Sequence, residues 1–260
     1  MPVDPKAIDG RVEPARFSGL TYEHFRRMAV DPTLSANEKI GMPDPARLGF
    51  DASILGDILK KVPPLTRHGQ TVVDIGSGCG TFAHHFIAYC SELEHSLVLV
   101  DSPEMLAHLP QPANVHKVAG RFPSNEELIK DQIPEGADVV LVYGVLSVVF
   151  VDSNPFLFLD RAAALLRNGG HLLVGDLPNA SKLRRFLASD AGARYHKSYM
   201  RTEEPPSIGA FDPPSDRIDD GVILGIVDRM RRRGFDAYVV PQSDSLPLAN
   251  RREDILIVCP

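Results

Sequence analysis

Two acidic residues and a loop of alternating glycines are the features of this sequence that could do chemistry. The segment "VVDIGSGCGTF", residues 72–82, carries glycines at every second position: Gly76, Gly78 and Gly80. Asp74 precedes this loop, and Asp101 ends the next apolar run. A glycine turn between a strand and a helix lets a ligand approach the backbone closely, while a carboxylate binds a diol or a cation. The pattern predicts a small-molecule site at the ends of two strands.

The glycine spacing differs from that of a dinucleotide-binding loop. That loop has the form G-x-G-x-x-G, and its third glycine lets the helix pack closely against the strand. Thr81 occupies the third glycine's position here. Asp74 would repel a pyrophosphate, whereas it could hold an ammonium group directly or through a water. The residues favour a ligand with a positive end, and a nicotinamide-dependent oxidoreductase is the disfavoured alternative.

The elements that must position these residues form an alternating pattern. From residue 71 onward apolar runs alternate with helical patterns, which is typical of βαβ units and a parallel sheet. Seven strands are predicted, over residues 71–75, 96–101, 115–119, 138–144, 171–176, 236–240 and 254–259. The segment "FLFLDRAAALLRNGG", residues 156–170, predicts a helix that ends at its two glycines. A later helix has an apolar face made of Ile223, Ile226, Val227 and Met230.

The domain organisation follows from the segments on either side of this pattern. Residues 1–65 are predicted to form a helical N-terminal cap, in which "SANE" (35–38) has the form of a capping box and "ASILGDILKKV" (52–62) is helical. Residues 66–260 form the main domain. Residues 180–216 are basic and aromatic and then proline-rich, and this length is unusual for a routine connection. We expect them to form an inserted lid or acceptor-binding segment.

Composition narrows the classes of partner. The chain of 260 residues has a formal net charge of -6 and a pI near 5.8, which disfavours nucleic acid. No apolar run approaches the length of a membrane span, and the N-terminus lacks a secretory core, so we expect a cytoplasmic protein without membrane contact. The three cysteines lack metal-ligand spacing and are expected to be reduced thiols. A homo-oligomer is compatible with the sequence.

The glycine loop and the second acid together resemble a known family. "VVDIGSGCG" is similar to the D-x-G-x-G-x-G signature of class I S-adenosylmethionine (SAM)-dependent methyltransferases, and Asp101 in "LVLVDSPEML" matches the acid with which that family holds the ribose hydroxyls. The resemblance implies a Rossmann-like, doubly wound α/β fold. Its seven-stranded sheet is mostly parallel and ends in an antiparallel C-terminal hairpin. The implied cofactor is SAM.

The resemblance also assigns the cofactor site residue by residue. Residues after Asp101 would flank the adenine, and those after the third strand would complete the adenine pocket, although Arg121 stands where many members carry an aspartate. Tyr143 ends the fourth strand, where the family faces the transferring methyl group. The implied cofactor-binding residues are Asp74, Gly76, Ser77, Gly78, Gly80, Asp101, Ser102, Met105, Gly120, Arg121, Phe122 and Tyr143.

The acceptor side carries fewer signals. Methyl transfer is an in-line displacement in which positioning dominates, and a base is needed only when the acceptor must lose a proton. His196 is the candidate base, with a surface histidine in a basic helix as the alternative reading, and Tyr143 is the second candidate catalytic residue. Asp176 and Asn179 either face the acceptor or form a turn.

The predicted reaction is metal-independent methylation, on oxygen, of a small or medium-sized polar acceptor such as a sugar. A noncatalytic SAM-binding regulatory subunit is the alternative.

Overall fold

The computed structural model describes residues 19–206 and 217–260. In these ranges the chain forms seven strands: β1 (Thr71–Ile75), β2 (Ser96–Asp101), β3 (Val115–Ala119), β4 (Ala137–Tyr143), β5 (Leu166–Pro178), β6 (Asp236–Pro241) and β7 (Arg252–Val258). β1, β2 and β3 have the predicted bounds, and the two C-terminal strands differ from prediction by one or two residues at their ends. The apolar runs alone were therefore sufficient to locate the strands that carry the glycine loop and the two acids.

The strands form one sheet in the order β3-β2-β1-β4-β5-β7-β6. β1 pairs in parallel with both β2 and β4, and β5 continues the parallel part. β7 runs antiparallel to β5 and to β6, its two neighbours. This arrangement confirms the predicted fold class: a doubly wound, mostly parallel sheet with an antiparallel C-terminal hairpin.

Helices cover both faces of the sheet. They are α1 (Tyr22–Val30), α2 (Ala36–Lys39), α3 (Asp44–Arg47), α4 (Asp51–Lys61), α5 (Thr81–Glu92), α6 (Pro103–Leu106), α7 (Glu126–Gln132), α8 (Leu146–Asp152), α9 (Pro155–Ala163), α10 (Ala180–Leu187), α11 (Asp190–Met200) and α12 (Asp220–Arg232). A short 3-10 helix, Pro63–Thr66, separates α4 from β1. Within the described ranges, none of these helices has the length and apolar character needed to cross a lipid bilayer.

Two hydrophobic cores lie on opposite faces of the sheet. Successive residues of a strand point to opposite faces, so Val72 packs with α4 and α5 whereas Val73 packs with α9 and α12. The predicted apolar face of the helix near the C-terminus is buried in the second of these cores, which confirms it. Because helices cover both faces, a ligand can reach the sheet at the ends of its strands.

The predicted helix over residues 156–170 is wrong at its C-terminal end. α9 ends at Ala163, and β5 begins at Leu166, ahead of the two glycines. The cause is pairing with β4, because the Ala137 amide donates to the Leu165 carbonyl at 2.8 Å. A Cβ at Gly170 would lie 2.7 Å from the Ala137 carbonyl oxygen, so this glycine permits close backbone approach and does not stop a helix.

The segments outside the alternating pattern are helical where they are described. Ser35 and Glu38 form the predicted capping box, which begins α2, and α4 covers most of the predicted helix ahead of Pro63. The inserted segment starts with α10 and α11, while its residues 207–216 lie outside the described ranges. The boundary at residue 65 stays a prediction.

Candidate functional site

A cavity of about 620 Å³ lies at the carboxyl ends of β1 and β4. The strand order reverses at this point, and ligands of open α/β sheets bind at such positions. Of the twelve cofactor-binding residues predicted above, all but Ser102 line this cavity. Segments from α1 to α3 and the start of α10 complete its wall. The fold therefore brings together residues that are widely separated in the sequence.

The glycine loop has no room for side chains at two positions. Gly76 and Gly78 have φ values of 76° and 61°, in the left-handed region that side chains rarely adopt. A Cβ at Gly76 would lie 2.4 Å from the Val145 side chain, and one at Gly78 would lie 2.7 Å from the Ile40 side chain. Between them, the buried hydroxyl of Ser77 has no hydrogen-bond partner among the described residues. The loop thus lines the cavity mainly with backbone, while the Ser77 hydroxyl is buried.

Asp101 is bonded to the glycine loop. Its carboxylate accepts hydrogen bonds from the Gly78 amide at 2.8 Å and from the Ser102 amide at 2.6 Å. Burial raises the pKa of Asp101 to about 6, against the opposing effect of these two bonds. The Ser102 side chain acts elsewhere, because its hydroxyl accepts from the Met105 amide and caps α6. This explains why Ser102 does not reach the cavity.

Asp74 is a buried acid at the cavity wall, with 4% of its surface exposed. Burial, and secondarily the negative charge of Asp101, raises the pKa of Asp74 to about 8. A cation bound beside Asp74 would favour the ionised carboxylate and lower this pKa. A ligand that brings a positive charge would therefore be favoured beside Asp74.

The N-terminal segment packs directly on the glycine loop through Asn37, a contact that the sequence did not single out. Asn37 Oδ1 accepts from the Thr81 amide at 3.3 Å and from the Thr81 hydroxyl at 3.1 Å. The N-cap residue of α5 is Gly80, which has no side chain, so Asn37 supplies the missing cap from α2. Thr81, the residue that departs from the dinucleotide pattern, is thus used to anchor the cap.

A second contact joins α1 to the far side of the cavity. Asp152, at the end of α8, accepts from the Tyr22 amide at 3.1 Å and from Arg121 at 2.9 Å. The Arg121 guanidinium also lies over the Tyr22 ring, 5.5 Å from its centroid. Arg121 therefore lines the cavity, and its guanidinium is bonded to Asp152 within this three-residue cluster.

The end of the cavity beside β4 and β5 is rich in arginine. Arg47, whose side chain is 7% exposed, lies over the rings of Phe82 and Tyr143 at 5.7 and 5.8 Å. Asp176 lies between Arg47 and Arg252: its Oδ2 is 3.9 Å from Arg47 Nη1 and accepts a short hydrogen bond from Arg252 Nη1. Burial, and then the charge of Asp176, raises the pKa of Tyr143 well above its usual value. The Tyr143 hydroxyl therefore stays protonated.

His196 and Asn179 occupy other positions. His196 is half-buried in α11 and is not among the described residues that line the cavity. Asn179 lines the cavity, but its amide caps α10 through the Lys182 amide and donates to Asp220 and Glu253. Across the described part of the chain, no group of three or more His, Cys, Asp or Glu side chains is arranged to hold a metal ion.

Three features together define the class of fold: the strand order of the sheet, the antiparallel β7, and the glycine loop at the point where the strand order reverses. The chain has the class I methyltransferase fold, in which β1 carries the glycine loop and β2 ends in an acid.

Comparison with solved structures agrees with this assignment. The chain is similar to the plantazolicin methyltransferase BpumL in complex with triazolic desmethylPZN analog and SAH, with a TM-score of 0.54, 12% identity and coverage of 92% of this chain and 98% of that one. It is also similar to the N-methyltransferase NodS from Bradyrhizobium japonicum WM9 in complex with S-adenosyl-L-homocysteine (SAH), with a TM-score of 0.52, 14% identity and coverage of 92% and 98%. No protein-family model matches the sequence, and no curated protein matches it. At these identities the likeness concerns the fold.

Proposed function

We propose that this protein binds SAM in the cavity and transfers its methyl group to a small or medium-sized acceptor. The observation that carries the proposal is the pair of acids, the buried Asp74 and the half-buried Asp101, beside a glycine loop that has no room for side chains at Gly76 and Gly78. The structural neighbours BpumL and NodS have both been crystallised with SAH, the product that SAM leaves after methyl transfer. These likenesses support the choice of cofactor.

The residues present fit the parts of SAM. The Asp101 carboxylate would accept hydrogen bonds from the ribose hydroxyls, and Asp74 would favour the ammonium of the methionine part. The loop amides would contact the methionine carboxylate or bound water. Met105 and Phe122, which are buried at the cavity wall, would enclose the adenine.

When bound, SAM supplies an electrophilic methyl group on a sulfonium. The chain's own part is to orient the acceptor in line with the methyl–sulfur bond and to exclude water. Two contacts hold the N-terminal segment against the cavity and so help to exclude water. One is the three-residue cluster of Tyr22, Arg121 and Asp152, and the other is the hydrogen bond that Asn37 of α2 accepts from Thr81.

An oxygen acceptor is our finer proposal, and the polar, arginine-rich end of the cavity supports it. Tyr143 is proposed to shape this end as a neutral side chain, since its raised pKa makes it a poor base at neutral pH. His196 is a less suitable base than the sequence indicated, because it lies in α11 away from the cavity lining.

Calorimetric titration with SAM, SAH and NAD in parallel tests the cofactor. We expect heat with both adenosyl ligands and none with NAD. Absence of binding to SAM and SAH would refute the proposal. Formation of SAH in the presence of an acceptor separates an enzyme from a noncatalytic SAM-binding subunit, which would bind the cofactor without turnover.

A further inference from the structure

The arginines at one end of the cavity have unsatisfied hydrogen-bonding capacity. Arg47 Nε and Arg252 Nε are both buried and have no partner among the described residues. The two guanidinium groups share a single oxygen of Asp176, from which Arg47 Nη1 is 3.9 Å distant, beyond hydrogen-bond reach. The two Nε groups are shielded by protein, but Arg47 lines the cavity and its Nη1 has no hydrogen bond to Asp176, so a ligand that supplies acceptors to this guanidinium would be bound strongly.

A third arginine adds positive charge to the same end. Arg251 lines the cavity and is bonded to two neutral groups, the Asn250 amide oxygen at 3.0 Å and the Tyr195 hydroxyl at 3.2 Å. Asp176 is the acid nearest to Arg47, and its carboxylate is already engaged by Arg252 and by Gln242 Nε2 at 3.3 Å. This end of the cavity is suited to an anion with planar, paired oxygens, which a guanidinium binds best.

The position of Arg47 indicates what the anion does. Its guanidinium lies 5.8 Å from the Tyr143 ring centroid, at the end of β4, where the family resemblance predicts the transferring methyl group. The Tyr143 hydroxyl stays protonated, and the Asp176 oxygens are occupied. An acceptor that arrives already deprotonated would react here without help from a base.

We propose that the acceptor is an organic acid, that Arg47 and Arg252 hold its carboxylate, and that this carboxylate receives the methyl group. The inference rests on the proposed function. One carboxylate oxygen attacks the methyl carbon with a lone pair, a C–O bond forms, and the C–S bond breaks with its electrons returning to sulfur. A carboxylate and a sulfonium become a neutral methyl ester and a neutral thioether, and no proton is released.

The test uses SAM tritiated on its methyl group and two sets of acceptors, each with a carboxylate, an alcohol and an amine. One set is benzoate, benzyl alcohol and benzylamine, and the other is glucuronate, glucose and glucosamine. A low-molecular-mass cell extract is assayed beside them. Products are treated with mild alkali, which releases volatile methanol from methyl esters and leaves ethers and methylamines intact. In parallel, the melting temperature of the SAH complex is measured with each carboxylate and its uncharged counterpart.

We expect alkali-labile label, or stabilisation of the SAH complex by a carboxylate and not by its uncharged counterpart. Arg47→Gln should raise the KM for the acid at least tenfold, or abolish that stabilisation, while SAH affinity is unchanged. Arg251→Gln tests the same end of the cavity should Arg47→Gln not fold. Arg232→Gln, at an exposed position of α12, is the matched control and should behave like the wild type.

Three results would overturn the inference while leaving the proposed function intact. The first is an alkali-stable label on alcohols or amines. The second is a loss of SAH affinity in Arg47→Gln without a change in the KM for the acceptor. The third is that no carboxylate receives the label and none raises the melting temperature of the SAH complex. Failure of the protein to bind SAH or SAM would instead refute the proposed function itself, and this inference with it.

Discussion

The carboxylate of Asp101 accepts a hydrogen bond of 2.8 Å from the amide of Gly78, so the end of β2 holds the middle of the glycine loop in place. One side chain thereby sets the loop geometry and faces the cavity. Both effects make Asp101 sensitive to substitution.

Asp101→Ala is expected to weaken SAH binding by ~1–3 kcal/mol, about 5- to 150-fold in Kd, the scale for losing charge-assisted hydrogen bonds. Titration calorimetry measures it. Asp101→Asn keeps an acceptor for Gly78, so its SAH affinity should lie between that of Asp101→Ala and that of the wild type. Asp236→Ala, at an exposed site of β6, should leave SAH affinity unchanged. Unchanged affinity in Asp101→Ala would mean that the ribose binds elsewhere.

SAH binding is expected to release a proton from Asp74. The pKa of the free protein's Asp74 is about 8, so the group is mostly protonated at pH 7, and a bound ammonium favours the carboxylate. Affinity should therefore rise with pH from about 6 to 8, with release of about one proton per SAH at pH 7. Binding heats in buffers of different ionisation enthalpy measure this release. Asp74→Asn should abolish it, whereas release that persists in this variant would assign the proton to another group.

Asn37→Ala removes the side chain that caps α5 from another helix. The Thr81 amide and hydroxyl lose their acceptor, and we expect a loss of ~0.5–2 kcal/mol in the free energy of unfolding, the range for helix caps. Urea denaturation measures it. Asn168→Ala, at an exposed position, should change stability by less than about 0.5 kcal/mol. Equal stability of the two variants would show that Asn37 is not an effective cap.

Asp152→Ala removes the acceptor that joins α1 to Arg121. We expect α1 to detach more often, so trypsin should cleave faster after Arg26 or Arg27, and SAH should dissociate a few-fold faster. Limited proteolysis and stopped-flow displacement measure the two rates. The exposed Asp131→Ala is the control. If SAH dissociates from Asp152→Ala at the wild-type rate, the N-terminal segment does not cover the cofactor.

Much of the fold could be read from local patterns. β1 and β2 match prediction at both ends because their apolar runs are bounded by a change to polar or glycine residues, which is local information. The boundary between α9 and β5 could not be read this way. Leu165 and Leu166 continue a helical pattern, and their pairing with Ala137 across the sheet decides their conformation.

The sequence by itself determined the strands and their alternation with helices, the glycine loop, and the two acids near neighbouring strand ends, since each depends on residues close together in the chain. Only the tertiary structure decided that Asn37 caps α5, that Arg121 is bound to Asp152, and that Arg47 lies over Tyr143 beside Asp176. These contacts join residues between 31 and 129 positions apart, shown by the pairs Arg121–Asp152 and Arg47–Asp176. Periodicity and motif spacing report on residues that are close in sequence, so they do not encode contacts across such sequence separations. These contacts arise only when the chain folds and, among other steps, the N-terminal segment packs onto the strand ends.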